Sequence, residues 1–197
     1  MSQGGSRMPD AFPRLTEEEQ RLLLDLARRS IVARLESLSL PRLADPPRRL
    51  LVEQGAFVGL HRGLTLRGCV GMVTPAGALA ETVAKCAAAA ATEDPRFRPL
   101  QRPELAGLTV EISVLEIPFR VDQVSQIVLG THGLVVTDGA RRGLLLPQVA
   151  IEQGWDVRTF LEETCLKAGL PSDAVARGAI VEAFSAQVFS EEGRGAS

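Results

Sequence analysis

A cysteine between two glycines, in the stretch LRGCVGMV, is the strongest candidate for chemistry in this sequence. In an extended strand, alternation puts Arg67 and Cys69 on the same face, two residues apart. The apolar side chains lie on the opposite face: Leu64, Leu66, Val70 and Met72. A neighbouring arginine favours the thiolate, the nucleophilic form of cysteine. Alternatively, Cys69 is a small apolar residue packed under a loop, because free cysteine is often buried.

The two glycines of this stretch, Gly68 and Gly71, are unexpected in a strand, because glycine weakens it. Neither residue has a side chain, so a ligand or another chain could approach the backbone closely beside Arg67 and Cys69. The pattern therefore predicts a binding surface that includes both glycines.

Three further polar side chains could take part in catalysis or binding. His132 is a candidate general base, or it caps the turn before Gly133. Arg96, in the loop DPRF, either anchors that loop to carboxylates and carbonyls or binds a substrate. Glu111 faces away from the apolar side of its strand, where it could pair with Arg67 or Arg96 across strands.

The other histidine, the other cysteines and the tryptophan are assigned to structure. Cys86 and Cys165 lie on apolar helix stripes, which predicts core packing, and His61 is expected to be a solvated turn residue. Trp155 precedes a helix N-cap and is expected to pack under the helix start. The histidines and cysteines fit no metal-ligand spacing, so no metal site is predicted. No phosphate-binding loop, serine elbow or paired-carboxylate spacing is present, and no cofactor is predicted.

Composition places the chain among ordinary globular proteins. Of its 197 residues, 45% are hydrophobic and 23% are charged. The net charge of −2 gives no reason to expect nucleic-acid binding. An odd cysteine count and the lack of a long apolar run predict a cytoplasmic protein with reduced thiols and no membrane segment. Residues 1–14 and 191–197 are predicted to be flexible termini around a single domain, 15–190.

The order of predicted elements is helix, hairpin, helix, strand, hairpin, helix, strand. Thr16 and Glu19 fit a capping box at the first helix, and Asp156 is the expected N-cap of the third. The hairpins turn at Arg62–Gly63 and Asp138–Gly139. The last segment, IVEAFSAQVF, could be a strand or a short helix, and partial alternation favours a strand. Because the strands come in hairpins, the fold class is predicted as α+β, with a mainly antiparallel sheet and flanking helices.

Six ordered stretches resemble the AMMECR-type domain family over roughly residues 15–190. They are LRGCVG, EDPRFRPL, VEISVLEIP, HGLVV, GLLLPQVAIEQGWDVRTFLEETCLKAGLP and FSAQVF. The family's motif positions fall on Leu66, Arg67, Gly68, Cys69, Gly71, Asp94, Pro95, Arg96, Phe97, Pro99, Leu100, Glu111, His132, Leu146, Pro147, Gln148, Gly154, Trp155 and Asp156. One position departs from the pattern: Val175 stands where the family has tryptophan, and the segment after it is shorter.

The resemblance implies a compact α+β domain whose two unequal lobes flank a cleft, with the RGC-G motif close to that cleft. It implies no settled biochemical activity. It also implies partners, because similar bacterial and archaeal members occur beside, or fused to, a Memo-type protein and a radical SAM enzyme.

Two functional hypotheses follow. The first is an enzyme or enzyme component that acts on a small molecule or modified macromolecule. The second is a non-catalytic adaptor that presents the cleft to a Memo-type or radical SAM protein. Recognition of RNA or a nucleotide through arginines is a weaker third hypothesis. The candidate catalytic residues are Cys69 and His132, and the candidate binding residues are Arg67, Gly68, Gly71, Asp94, Arg96, Glu111 and Trp155.

Overall fold

The computed structural model describes residues 13–75 and 77–191. Its helices are α1 (Glu17–Leu35), α2 (Leu79–Thr92), α3 (Pro147–Glu152) and α4 (Val157–Lys167). Its strands are β1 (Ala56–Arg62), β2 (Thr65–Met72), β3 (Thr109–Leu115), β4 (Phe119–Arg120), β5 (Gly133–Asp138), β6 (Arg141–Leu145), β7 (Ile180–Phe184) and β8 (Ala186–Ser190). No helix within these two ranges is both long and apolar enough to cross a lipid bilayer.

The chain folds as two compact units, each with its own four-stranded sheet. The larger unit comprises residues 13–115 and 187–191, and the smaller unit comprises residues 116–186. The strand order is β2-β1-β3-β8 in the larger unit and β4-β7-β5-β6 in the smaller one. The predicted α+β class with antiparallel pairing is confirmed. Two sheets replace the single predicted sheet, because β4 and the strands after it up to β7 pair with one another and not with the strands of the larger unit.

Helix α1 begins where the sequence predicts. The Thr16 hydroxyl accepts the Glu19 N–H at 3.3 Å, and the Glu19 carboxylate accepts the Thr16 N–H at 2.9 Å. This reciprocal pair satisfies two backbone donors that a helix start otherwise leaves unpaired.

The core of the larger unit lies between one face of its sheet and helices α1 and α2. Val58, Leu60 and Ile112 are fully buried there. Cys86 of α2 is also fully buried, which confirms its predicted core position, and its sulfur lies 3.6 Å from the Ala56 carbonyl oxygen. Burial raises the pKa of the Cys86 thiol to about 11. The Cys86 side chain is therefore neutral at physiological pH.

The tip of the β1–β2 hairpin departs from the predicted alternation. Leu64 is predicted to face the core, but it is 94% exposed. Strand β2 begins only at Thr65, and the register shifts between Leu60 and His61. The alternation of β2 therefore does not extend into the turn, where Gly63 has a positive φ of 59°.

The smaller unit packs α4 against its sheet. Phe160 and Cys165 of α4 are fully buried, so the predicted core position of Cys165 is confirmed. The Asp156 carboxylate caps the helix by accepting the Thr159 N–H at 2.7 Å. Beyond the other end, Gly169 has a φ of +71°, as expected of a residue that ends a helix in the left-handed region. The N-cap Asp156 is a signal that the sequence predicts.

The segment IVEAFSAQVF is a strand region, as predicted, but it forms two strands that belong to different sheets. Strand β7 pairs with β4 and β5 in the smaller unit, and β8 lies beside β3 in the larger one. Ser185 separates them, and its carbonyl oxygen accepts the Glu116 N–H at 2.8 Å. Val175, where the family pattern has tryptophan, packs against the core of the smaller unit.

The predicted termini fall mostly on residues 1–12 and 192–197, which lie outside the described residues. Glu191 is described: its N–H donates to the Val110 carbonyl oxygen at 3.2 Å, and its carboxylate pairs with Arg28. Arg28 also donates to the Leu108 carbonyl oxygen at 2.6 Å. These contacts attach the end of β8 to the larger unit.

We expect Cys165→Ser to lower the free energy of unfolding by roughly 1–3 kcal/mol, because it puts a hydroxyl in a fully buried apolar position. Urea denaturation measures this loss, with Cys165→Ala as the control for the lost sulfur volume. A loss below about 0.5 kcal/mol, the size of a surface effect, would contradict the expected cost of burial.

Candidate functional site

The face of the larger sheet that points away from α1 and α2 carries a thiol and a carboxylate on either side of a glycine. Gly59 of β1 pairs with Cys69 of β2 on one side and with Glu111 of β3 on the other. Because side chains of directly paired residues point to the same face, Cys69 and Glu111 flank a position that has no side chain. We call this surface, which includes Gly59, His61, Cys69 and Glu111, the Cys69 face.

An imidazole covers the glycine position of the Cys69 face. His61 follows Gly59 by two residues on β1, and its Nε2 would lie 3.0 Å from a Cβ built on Gly59. The same Nε2 lies 3.9 Å from the Glu111 Oε1. The sequence suggested that His61 is a solvated turn residue, and this is wrong. Strand β1 extends through Arg62 and brings the imidazole onto the sheet.

The loop after α2 fixes the free edge of strand β2 beside Cys69. The Asp94 Oδ2 accepts the Cys69 N–H at 2.8 Å, and its Oδ1 accepts the Arg96 N–H at 3.1 Å. The Arg96 side chain donates to both oxygens, from Nε at 3.0 Å and from Nη2 at 2.8 Å. Hydrogen bonds from Arg96, chiefly, hold the pKa of the Asp94 carboxyl at about 2. The carboxylate thus occupies an edge N–H that would otherwise be unpaired.

Arg96 has the first of its two expected roles: it anchors the DPRF loop by binding the Asp94 carboxylate. Its Nη2 also lies 3.5 Å from the Cys69 carbonyl oxygen. The side chain of Arg96 remains 56% exposed, whereas that of Asp94 is only 3% exposed. The guanidinium can therefore still contact an anionic group while it holds the loop.

Arg67 does not pair with Glu111, which was one of the partners expected from the sequence. Its Nε donates to the Glu104 Oε1 at 2.9 Å, and its Nη1 donates to the Arg98 carbonyl oxygen at 2.9 Å. The hydrogen bond from Arg67 is the main reason that the pKa of the Glu104 carboxyl is lowered. Arg67 is thus engaged in fixing the segment before β3.

The expected activation of Cys69 by Arg67 is not found. Burial is the main cause that raises the pKa of the Cys69 thiol above its ordinary value. The positive charge of Arg96 lowers that pKa, while the negative charges of Asp94 and Glu111 raise it. The resting group at neutral pH is therefore a neutral thiol, and a reaction through its sulfur requires a proton acceptor.

Both glycines of the LRGCVG motif have a packing role. A Cβ on Gly68 would lie 2.2 Å from the Ala90 carbonyl oxygen of α2, so Gly68 faces the helix and not the Cys69 face. A Cβ on Gly71 would lie 2.1 Å from Cδ1 of the Phe57 ring. The space beside Gly71 is thus occupied by the protein's own aromatic ring, and that beside Gly68 by a helix backbone.

The two remaining predicted residues belong to the smaller unit. The His132 Nδ1 accepts the Val128 N–H at 3.1 Å, and its ring meets that of Phe119 edge-on at 5.3 Å between centroids. Of the two roles expected for His132, this contact matches the capping of the turn before Gly133. Its action as a general base stays a prediction. Trp155 packs against the core of the smaller unit just before the N-cap of α4, where the sequence expects it.

Neither a metal centre nor the surface cavity of the larger unit involves the Cys69 face in the described parts of the chain. No group of three or more histidine, cysteine, aspartate and glutamate side chains there is arranged to hold a metal ion. A surface depression of about 370 Å³ is lined by Arg34, Ser37, Leu38 and Leu40. It shares no residue with the Cys69 face.

The larger unit therefore brings together Cys69, Asp94, Arg96 and Glu111 from the predicted set. Sequence reasoning missed His61 and Glu104. The signal for His61 was the i, i+2 spacing from Gly59, which indicates a common face once the strand is extended past the glycine.

Known proteins resemble this chain over most of its length. The family model described as AMMECR1 matches residues 24–189. A protein of Methanopyrus kandleri is 43% identical over 189 residues, which cover 91% of this chain and 91% of that protein. A protein of Thermofilum pendens is 44% identical over 199 residues, covering 90% of this chain and 92% of its own. The crystal structure of an uncharacterised protein from Pyrococcus horikoshii matches with a TM-score of 0.85 at 39% identity, covering 91% of this chain and 94% of that one.

Proposed function

The chain belongs to the AMMECR1 family, and from this premise we propose that it is an enzyme or enzyme component that uses the Cys69 face. Its substrate is a small molecule or a modified macromolecule with an electrophilic carbon. Cys69 is the reacting group, and the exposed guanidinium of Arg96 receives an anionic part of the substrate.

One observation carries the proposal: a thiol, a carboxylate and an imidazole from three adjacent strands meet around Gly59. Cys69 and Glu111 flank this glycine in the register of the sheet, and His61 covers it. A merely structural cysteine needs none of these groups, as the fully buried Cys86 and Cys165 illustrate.

The Asp94–Arg96 pair supports this role by holding the backbone of Cys69. Asp94 accepts the N–H of Cys69, and Arg96 lies near its carbonyl oxygen. A reacting group needs a fixed backbone, because small displacements of the reacting atoms slow a reaction strongly.

We expect Cys69 to react with iodoacetamide in the native protein at least about tenfold faster than Cys86 or Cys165, because it is the partly exposed thiol of the three. Mass mapping of labelled peptides at pH 8 measures the order. In the control variant Cys69→Ala, the other two cysteines should stay unlabelled until denaturant is added. If Cys86 or Cys165 reacts first, the proposed site is wrong.

A second experiment tests whether the protein converts a small molecule. A small-molecule extract of the source cells is incubated with the wild-type protein or with Cys69→Ala, and both mixtures are compared by mass spectrometry. Consumption of a compound by the wild type alone supports an enzyme. Identical extracts from both incubations would contradict catalysis on a free small molecule.

An adaptor remains the second candidate, and the exposed Leu64 favours it. This side chain lies at the hairpin tip that joins β1 and β2, next to the strands of the Cys69 face. A single exposed apolar side chain is common on protein surfaces, but this one is accessible to a partner protein that binds beside the Cys69 face. The partners proposed on the family resemblance are a Memo-type and a radical SAM protein.

The proposed chemistry requires a reduced thiol, and the three cysteines of the chain are free. We therefore also propose a reducing, cytoplasmic setting for this protein.

A further inference from the structure

We infer that His61 accepts the proton of the Cys69 thiol and that Glu111 stabilises the imidazolium so formed. This inference rests on the proposed function, because it gives Cys69 the proton acceptor that a neutral thiol lacks. His61 thus acts through Cys69 as a positioning and proton-accepting residue.

The strand pairing places the imidazole of His61 close to the position of Cys69. Directly paired residues in an antiparallel sheet have Cβ positions about 4.5–5.5 Å apart. Cys69 is paired with Gly59, and the His61 Nε2 lies 3.0 Å from the Cβ position of Gly59. The imidazole therefore stands over the position next to Cys69.

The glycine at position 59 is what permits this placement. A Cβ there would make a tight contact with Nε2 of His61 at 3.0 Å and an ordinary van der Waals contact with its Cδ2 at 3.6 Å. A larger residue would therefore displace the imidazole by a few tenths of an ångström, whereas glycine leaves His61 in its present position. Gly59 and His61 thus form a matched pair.

The charged groups around His61 and Cys69 favour this proton transfer. The charged or titratable groups facing His61 and Cys69 are Glu111 on β3 and the Asp94–Arg96 pair of the loop after α2. Arg67 on β2 is paired with Glu104, and Asp94 with Arg96. Glu111 is thus the carboxylate left to balance a new positive charge, and its Oε1 lies 3.9 Å from the nitrogen that would carry it.

With iodoacetamide as the probe, Cys69 is alkylated and both a proton and an iodide ion are released. The S–H bond of Cys69 breaks, and its proton moves to the lone pair of the His61 Nε2. The sulfur forms a bond to the methylene carbon of iodoacetamide, the carbon–iodine bond breaks, and iodide leaves. The imidazolium then returns its proton to water.

The test is the pH profile of Cys69 labelling between pH 5 and 10. In the wild type, we expect the rate to show a first rise below pH 9 that depends on His61. It should rise again above pH 9, where the thiol itself ionises. His61→Gln should abolish the first rise and slow labelling at pH 7.5 by roughly tenfold. Above pH 9 it should leave the rate nearly unchanged.

Two further variants make the result specific. Glu111→Gln should move the first rise to lower pH, because the imidazolium loses its balancing charge. Arg62→Gln, which changes the exposed residue next to His61, should leave the profile as in the wild type. Circular dichroism shows that each variant is folded.

The outcomes separate this inference from the proposed function. A folded His61→Gln variant that keeps the first rise would overturn the role of His61, while preferential labelling of Cys69 would still support the site. If His61→Gln does not fold, an unshifted profile in Glu111→Gln overturns the inference instead. If a different cysteine is labelled first, the proposed site itself fails.

Discussion

Gly68→Ala is expected to destabilise the protein by about 3 kcal/mol or more, or to prevent the larger unit from folding. The new methyl would lie 2.2 Å from the Ala90 carbonyl oxygen and 3.3 Å from its carbonyl carbon. Both atoms belong to the backbone of α2, which cannot rotate away as a side chain can. Urea denaturation followed by far-ultraviolet circular dichroism measures the loss.

Gly71→Ala is the matched control, because the clash there is of another kind. Its methyl would lie 2.1 Å from the Phe57 ring, which is a partly exposed side chain that can move. Combining Gly71→Ala with Phe57→Ala should recover part of the stability that the single change loses. If Gly68→Ala were no more destabilising than Gly71→Ala, the close packing of β2 on α2 would be wrong.

Asp94→Asn is expected to lower the free energy of unfolding at pH 7 by about 2–3 kcal/mol. The amide has one acceptor oxygen where the carboxylate has two, and its NH₂ group would face donors of Arg96 or Cys69. Asp94 is nearly fully buried, so water cannot replace the lost acceptor. Chemical denaturation at pH 7 measures the change.

The pH dependence of that loss gives a sharper test. The Asp94 pKa is lowered in the folded state from its ordinary 3.8 to about 2. Between these values the unfolded carboxyl takes up a proton and the folded one does not, so stability falls as the pH falls. This contribution is fully present above about pH 4 and is lost as the pH drops through about 2. The wild type should therefore approach the stability of Asp94→Asn under acid conditions.

Asp25→Asn serves as the control for acid sensitivity. Asp25 pairs with Arg29 on α1, and both side chains are largely exposed to water. Exposed pairs of this type contribute only about 0.3–0.5 kcal/mol. A gap between wild type and Asp94→Asn that stays constant from pH 7 to pH 2.5 would contradict the lowered pKa of Asp94.

Local patterns in the sequence predicted those features of the fold that depend on neighbouring residues. The capping box of Thr16 and Glu19, the N-cap Asp156 and the buried stripes carrying Cys86 and Cys165 were all predicted correctly. Leu64 was predicted wrongly, because it is a turn residue between the paired Arg62 and Thr65 and belongs to neither strand. The division into two sheets depends on long-range pairing, which local periodicity does not report.

The candidate site shows the same limit. Alternation placed Cys69 and Glu111 on suitable faces of their strands, but their meeting across Gly59 depends on the register of three strands. The partner of Arg67 was missed because Glu104 lies 37 residues away, in a short helical turn without a strong pattern. His61 was missed because its position next to a turn suggested solvent, whereas the strand continues through it.

The division of IVEAFSAQVF between two sheets has a consequence for synthesis on the ribosome. Residues 116–186 form an insertion within the larger unit, and strand β8 of that unit follows the insertion in the sequence. Leu15, near the start of the larger unit, pairs with Gln187 of β8. The Gln187 side chain donates to the Leu15 carbonyl oxygen at 3.0 Å and accepts the Leu15 N–H at 2.8 Å. Until the residues of β8 have been synthesised, strand β3 therefore has an open edge that can pair with a foreign strand. The nascent chain is most exposed to aggregation in the interval that the smaller unit takes to be synthesised.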